Sequence, residues 1–283
     1  MLTSTETLLQ TALSQGYAIG AFNVYNLEGV KAVVAAAEGE RSPAMLQIHP
    51  GALGYGGPPL VALCLAAAEG AAVPMAVHLD HSDSVQAIEA ALVAGISSIM
   101  ADGSHMAYED NLTFSRDMVA LAHAHGKAVE AELGRISGTE DGLTVDEREA
   151  RYTDPAQAAD FVAQTGVDAL AVCIGNVHGK YHTEPQLDFA RLSAIRQSVS
   201  APLVLHGASG LPDDMVRRSI DLGICKFNVN TEVRQAYMTS LKARLSASKS
   251  PDLLDLMADA VTAMQAVVAK KLRLFGSKGK ANR

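Results

Sequence analysis

Three histidines each follow closely on a short apolar run: His81 in MAVHLDHS, His178 in CIGNVHGKY and His206 in LVLHGASG. The runs are rich in Val, Ile and Leu and bounded by turn residues, so they read as β-strands. Imidazoles delivered from the same ends of three parallel strands can meet at one point. Three neutral nitrogen ligands with an open fourth position describe a catalytic zinc site rather than a structural one. A carboxylate, Asp80, stands beside His81. A Lewis acid next to a carboxylate suits an α-hydroxyketone: the metal takes its two oxygens and stabilises an enediolate, and Asp80 moves a proton at the hydroxyl being made or broken. That chemistry is a metal-assisted aldol cleavage. It carries a geometric condition. Neighbours on a regular strand point to opposite faces, so Asp80 and His81 share a site only if the strand ends there and the chain turns.

The elements that must hold these groups alternate almost without a break. Strands are predicted near Ala18–Asn23, Met45–His49, Met75–Asp80, Ser98–Ala101, Ala128–Leu133, Ala169–Ile174, Leu203–His206 and Ile224–Asn228. Between them run helical patterns such as NLEGVKAVVAAAEGE, DPAQAADFVAQTG and LPDDMVRRSIDLG, most opening on Asn, Ser or Asp and closing on Gly. This alternation predicts an α/β fold, a (β/α)8 TIM barrel. An open doubly wound sheet is the alternative, disfavoured because no glycine-rich dinucleotide loop follows the first strand. Functional groups of such a barrel collect at the C-terminal strand ends. Besides the histidines, that rule gathers Asp102 after strand four, Glu130 and Glu132 on strand five, and the loops HGASG and NVNT after strands seven and eight. The last two loops commonly hold phosphate through backbone N–H groups and a helix N-terminus.

Two regions interrupt the rhythm. Gly134–Thr153 is long, charged and glycine-containing, which predicts a functional lid or, failing that, a disordered, solvated insertion. After the eighth strand comes a helical extension over about 250–275 and a basic tail, 276–283, expected to be disordered. The expectation is one barrel domain spanning residues 1–283.

Composition sets outer limits. Of 283 residues 48% are hydrophobic and none is Trp, so a large core must be built from Ala, Val, Leu, Ile and Met. The formal charge of −8 argues against nucleic-acid binding. Apolar runs of membrane-spanning length are not expected, and the N-terminus does not read as a secretory signal. Three cysteines without a C-x-x-C pair read as buried thiols in a reducing compartment, which predicts a cytoplasmic protein.

In their order, AFNVYN, HLDH, MADGS, VEAELG, ISGTEDG, GNVHGKY, LVLHGASG and CKFNVNTE resemble the class II, zinc-dependent ketose-bisphosphate aldolases, closest to the tagatose-bisphosphate branch. The resemblance covers most of the chain. It implies reversible cleavage of a ketose 1,6-bisphosphate, tagatose or fructose, to dihydroxyacetone phosphate and glyceraldehyde 3-phosphate. It implies Asp80 as proton donor, His81, His178 and His206 as Zn2+ ligands, and Glu132 as a carboxylate that can hold displaced zinc. Asp102 and Asn23 become supporting partners. Gly179, Gly207, Ala208, Ser209, Asn228, Val229, Asn230 and Thr231 become phosphate-side contacts, with a monovalent cation (Na+ or K+) nearby. The resemblance further implies a homodimer or homotetramer, with Arg234 reaching the distal phosphate of a neighbouring subunit. The lid is expected to bring Glu140 or Asp141 to the reacting carbons. Where the fructose-specific branch carries Asp and the tagatose branch usually Ala, this chain has Asn230, and the stretch after His178 reads GKYH, which leaves no cleanly placed phosphate-facing lysine.

Rival readings exist. Lys226 on strand eight would suit a metal-free Schiff-base aldolase. A class II enzyme for another ketose phosphate, a non-catalytic sugar-phosphate-binding barrel subunit and a zinc hydrolase are the others. His49, His78, His105, His123, His125 and His182 are expected in structural or surface roles, with His105 the best spare ligand, and Asp102 could simply cap a turn.

Overall fold

A computed structural model describes residues 1–140, 143–145, 151–179, 181, 184–247 and 250–281. Eight parallel strands close into a barrel: β1 (Ile19–Asn23), β2 (Ala44–Ile48), β3 (Met75–Ser82), β4 (Ser98–Ala101), β5 (Ala128–Leu133), β8 (Ala169–Val172), β10 (Leu203–Leu205) and β11 (Ile224–Val229). These are the eight predicted strands, β4 and β5 at the predicted bounds and the others with ends shifted by at most two residues. Their neighbours around the ring follow chain order, β11 closing on β1 through pairs such as Ala21↔Asn228. The strands β6 (Ser137–Glu140), β7 (Leu143–Val145) and β9 (Val177–His178) form a separate small sheet.

The alternation of side chains decides what fills the barrel. Ala21, Met45, Ala76, Met100, Ala169, Ala171 and Val204 form one buried apolar cluster with helix α1 (Thr5–Gln15), which supplies Leu8, Leu9 and Ala12. On the same strands, or on neighbouring ones, come Asn23, Gln47, His78, Glu130, His206, Lys226 and Asn228, all buried, with Glu130 in register with Met100 and Ala169, and Lys226 with Ile19 and Val204. The barrel is thus mainly apolar in its lower half, beside α1, and carries most of its buried polar groups from the middle upward. A buried polar group is costly unless it is paired, so the upper half has to be a hydrogen-bonded network.

Helices cover the outside: α2 (Leu27–Glu40), α3 (Pro50–Gly70), α4 (Val85–Val93), α5 (Tyr108–Ala124), α6 (Pro155–Thr165), α7 (Phe189–Ser198), α8 (Asp213–Asp221) and α9 (Thr231–Ala247). Local chemistry sets their starts. Asn26, Ser84 and Asp154 accept from backbone N–H groups of the first turns of α2, α4 and α6, and Gly166 closes α6 in the left-handed region. By length and composition α3 could cross a membrane, contrary to the expectation from apolar runs. It is broken at Gly57, ahead of Pro58 and Pro59, and packs against β2 and β3.

The predicted C-terminal extension is α10 (Leu253–Leu274), packed against α2 and α9. Phe275 stacks on Phe227 of β11 with ring centroids 4.9 Å apart, and its carbonyl accepts from Ala18 N. The tail departs from expectation. Ser277 is buried and bonded to Ser42, and Gly279 and Ala281 donate to the carbonyls of Glu40 and Arg41. Backbone pairing at the end of α2 orders a segment that composition alone read as loose.

Candidate active site

The geometric condition on Asp80 and His81 is met by a bulge, not by the end of the strand. Pairing of β3 with β4 slips between Leu79 and Ser82, and His81 lies in the left-handed region at φ 39°. For a residue with a side chain that conformation costs on the order of 1–3 kcal/mol and persists only where surrounding contacts enforce it. The bulge re-aims the side chain. Asp80 Oδ1 and His81 Nε2 come within 4.0 Å instead of facing opposite ways.

The three histidines then converge. Ring centroids lie 4.6 Å apart for His81 and His206, 4.9 Å for His81 and His178, and 5.8 Å for His178 and His206. One ring nitrogen from each falls within 4.8 Å of the others. Carboxylates orient two of the rings. His81 Nδ1 bonds Asp102 Oδ2 at 2.7 Å, and His206 Nε2 bonds Glu130 Oε1 at 2.8 Å. The remaining nitrogens, His81 Nε2 and His206 Nδ1, face each other at 2.8 Å. A carboxylate on the far nitrogen is the usual support of a metal-binding imidazole. His178 is brought in by pairing of β9 with β6, Gly138↔His178, where a Cβ on Gly138 would lie 2.1 Å from the His178 carbonyl oxygen. The start of the predicted lid is thus a strand that buttresses His178.

The donor set fits a divalent cation on two further observations. Burial opposes charge on His81, yet Asp80 and Asp102 outweigh it and raise its pKa, so these carboxylates favour positive charge beside that ring. Burial, helped by His81 and His206, holds His178 well below the usual histidine range, and burial, helped by His81 and Lys226 against Glu130, lowers His206, both toward the neutral form that binds metal. Glu132 Oε2 is buried with no hydrogen-bond partner, and Glu132, His81 and Asp102 form a second group of ligand atoms within 4.8 Å. Burial, reinforced by Asp102, pushes the Glu132 carboxyl up to about 8.

Asp80 is buried and held at both oxygens. Asn23 Nδ2 donates to Oδ2 at 2.9 Å and Asn228 Nδ2 to Oδ1 at 3.1 Å. Burial would raise its pKa, but His81, His206 and Lys226 prevail and lower it below the usual carboxylate range. Both amides are themselves fixed. Gln47 Nε2 donates to Asn23 Oδ1 at 3.2 Å, and Lys226 Nζ donates to Asn228 Oδ1 at 2.8 Å. Lys226 Nζ also bonds Glu130 Oε2 at 2.7 Å. Its amine is engaged on both sides inside the barrel, which disfavours the Schiff-base alternative.

The phosphate-type loops sit beside this cluster. Gly207 needs both its φ of +69° and its missing side chain, since a Cβ would lie 2.2 Å from the Val177 carbonyl oxygen. Tyr181 Oη donates to the Gly207 carbonyl at 3.1 Å, and Asn176 Nδ2 to the His206 carbonyl at 3.2 Å, joining this loop to the segment that carries His178. Ala208, Ser209, Asn228, Val229, Asn230 and Thr231 are buried, and α9 starts at Thr231, presenting its N-terminus next to Ser209. Asn230 Oδ1 accepts from Tyr25 Oη at 2.8 Å.

Other predicted residues fall as follows. Gly179 is buried at φ +87° directly after His178. Arg234 is half-buried in the first turn of α9. Asp102 also accepts from Ser104 N at 3.1 Å, so it closes a turn as well as holding His81. His105 is exposed and stands outside the ligand group, His78 is buried against Ser98, and His123 pairs with Asp168. Asp141, the side chain of Glu140, and His182 lie outside the described residues. Sequence reasoning missed Gln47, Tyr25, Tyr181 and Lys271. A polar residue inside the apolar strand AMLQI was the available signal for Gln47.

A closed eight-stranded barrel with its polar groups gathered at one end defines the class, the (β/α)8 barrel. Residues 3–280 match the family model of class II fructose-bisphosphate aldolase, and the chain belongs to that family: it is a class II ketose-bisphosphate aldolase, a carbon–carbon lyase. It is 44% identical over 280 residues to the D-tagatose-1,6-bisphosphate aldolase subunit GatY of Klebsiella oxytoca, covering 98% of both chains. The crystal structure of the YdjI aldolase of Escherichia coli K12 matches at TM-score 0.90 and 38% identity over 100% of both chains. That of a candidate fructose-1,6-bisphosphate aldolase from Coccidioides immitis matches at TM-score 0.93 and 39% identity, covering 98% of this chain and 97% of that one.

Proposed function

We propose that this aldolase is zinc-dependent and cleaves a ketose 1,6-bisphosphate reversibly to dihydroxyacetone phosphate and glyceraldehyde 3-phosphate, with a preference tilted toward tagatose. The observation that carries the reading is the cluster of His81, His178 and His206 ring nitrogens within 4.8 Å of one another, with Asp80 alongside. These three residues would hold the ion, with Glu132 as an alternative ligand. Zinc supplies the Lewis acidity that polarises the ketose carbonyl. In the cleavage direction Asp80 takes the proton of the C4 hydroxyl as the C3–C4 bond breaks and the aldehyde leaves. In the synthetic direction it returns that proton. Asn23 and Asn228 keep both Asp80 oxygens aimed, and Asp102 and Glu130 keep the His81 and His206 rings aimed. The electron pair left at C3 is protonated from the segment after β5, where Glu140 or Asp141 would serve.

The loops 207–209 and 228–231 would bind the phosphate of the dihydroxyacetone half through N–H groups and the α9 N-terminus. A monovalent cation beside them completes the reading. We further read residues 1–283 as one domain in a cytoplasmic homodimer or homotetramer, with Arg234 serving a neighbouring subunit. The free, buried cysteines Cys64, Cys173 and Cys225 and the exposed apolar Leu27, Leu253 and Leu254 support this. The test is a retro-aldol assay with tagatose and fructose 1,6-bisphosphates before and after chelation. Loss of turnover with chelator and recovery on zinc addition is expected. Full turnover after exhaustive chelation refutes the metal reading.

A further inference from the structure

A buried cation from outside the barrel reaches the HGASG loop. Lys271, near the end of α10, is only 5% exposed. Its Nζ bonds Glu232 Oε1 at 2.7 Å and the Ala208 carbonyl at 3.3 Å. The same Glu232 oxygen accepts from Gly210 N at 2.8 Å. None of these contacts is used by the proton chemistry around Asp80.

We propose that Lys271 and Glu232 form a clamp that sets the phosphate-binding loop, so that recognition of the substrate phosphate depends on the C-terminal helix α10. The argument has three parts. A trans peptide is planar, with its C=O and N–H pointing opposite ways. Drawing the Ala208 carbonyl toward Lys271 therefore turns the Ser209 N–H away from α10. Second, Glu232 consumes the Gly210 N–H, so the loop offers its donors from residues before Gly210. Third, Glu232 sits in the first turn of α9, at the helix end that would receive the phosphate. An uncompensated carboxylate there repels a phosphate dianion, and the Lys271 ammonium neutralises it. Lys271 is thus a positioning residue that acts through the loop backbone and through Glu232.

This inference rests on the phosphate reading of the loops 207–209 and 228–231, and the experiment separates the two. Lys271→Met and the double variant Lys271→Met/Glu232→Gln are compared with wild type. The double variant leaves no half-buried carboxylate without its cation and guards against failure of the single variant to fold. Two quantities are read: the inhibition constant of inorganic phosphate, and the ratio of kcat/KM for dihydroxyacetone phosphate over unphosphorylated dihydroxyacetone in the aldol direction. In both variants phosphate inhibition should weaken tenfold or more and the ratio should fall by a similar factor. Activity on dihydroxyacetone should stay within about threefold. Lys271→Arg should restore part of the ratio. A merely structural lysine would lower thermal stability or both activities together and leave the ratio unchanged, which overturns the clamp. Thr231→Ala serves as the control on the loop. If it weakens phosphate inhibition and the Lys271 variants do not, the clamp alone is wrong. If wild type shows no phosphate inhibition at all, the phosphate reading and the clamp both fall.

Discussion

Asp80→Ala separates proton transfer from metal binding. In the native chain the carboxylate accepts from Asn23 at 2.9 Å and from Asn228 at 3.1 Å, wholly out of solvent. Truncation leaves both amide donors without those acceptors, at about 1–3 kcal/mol each. It also removes a buried charge, so the net loss of stability should fall short of the sum. Turnover behaves differently. A positioned acid–base group contributes about 10²–10⁴-fold, or about 2.7–5.4 kcal/mol of barrier at 1.36 kcal/mol per decade. Metal content should survive, because His81 is aimed by Asp102 at 2.7 Å and His206 by Glu130 at 2.8 Å, neither through Asp80. The assay pairs elemental analysis of zinc with kcat at saturating substrate and a thermal melt. A variant that keeps kcat within tenfold of wild type refutes the acid–base role. One that loses its metal, and regains normal turnover when zinc is added, makes Asp80 a structural support for His81.

His81→Ala, His178→Ala and His206→Ala should each lose zinc and activity together, read by metal content and kcat on the same sample; an active, metal-free variant would exclude that residue as a ligand. Asn230→Asp should shift the kcat/KM ratio of the two bisphosphate epimers toward fructose, and Asn230→Ala toward tagatose; a change under about twofold, roughly 0.4 kcal/mol, means Asn230 is not the selector. Its Oδ1 accepts from Tyr25, a bond that an Asp could keep and an Ala could not. Glu40 joins α2 to α10 and the tail through Arg273 and Lys278, and hydrogen bonding to Arg273 holds its carboxyl below the usual range. Its folded pKa is thus depressed, so its contribution is present above the unfolded value near 4.5 and fades as pH falls through the lower folded value. Between pH 7 and 3 the thermal midpoint should therefore fall less in Glu40→Gln than in wild type; parallel curves would refute the linkage.

The eight strands were legible because a fully buried parallel strand reads as a short apolar run, and the helices because Asn, Ser or Asp opens several of them and Gly marks the close of some. The histidine trio was legible for the same reason, since each residue follows the apolar run of a predicted strand within a few residues, although His81 sits in a bulge of β3 and His178 on the short strand β9. What composition could not show was conformation at a single residue. The left-handed His81 and the slipped pairing after Leu79 bring Asp80 to the histidines, and no local pattern in HLDHSDS announces them. Long-range partners were equally hidden. Gln47 acts on Asp80 only through Asn23, and Lys271 reaches the HGASG loop from a helix that looked like mere packing. The tail was misjudged because its basic composition said nothing of the Glu40, Arg41 and Ser42 groups that receive it.

The upper half of the barrel joins stability and chemistry in one set of bonds. Glu130 accepts from His206 through one oxygen and from Lys226 through the other. Lys226 offsets the buried carboxylate and at the same time fixes Asn228, whose amide then donates to Asp80. Orientation thus passes from His206 through Glu130, Lys226 and Asn228 to Asp80 without a break. Removing one partner of a buried ion pair costs about 3–5 kcal/mol, because the other is left uncompensated. The lower half needs far less of a network: Ala21, Met45, Ala76, Met100 and Val204 fill it with α1 mainly by packing, and Thr5 of α1 donates to Ser98 at 2.7 Å. Among the described residues, most of the buried polar groups of this barrel lie from mid-strand to the C-terminal strand ends, with Ser98 at the start of β4 bonded to Thr5 and His78. That division explains how a chain without tryptophan can carry several buried charges in its core. The small apolar side chains below supply burial, and the ion pair above is held where its members also aim His206 and Asp80.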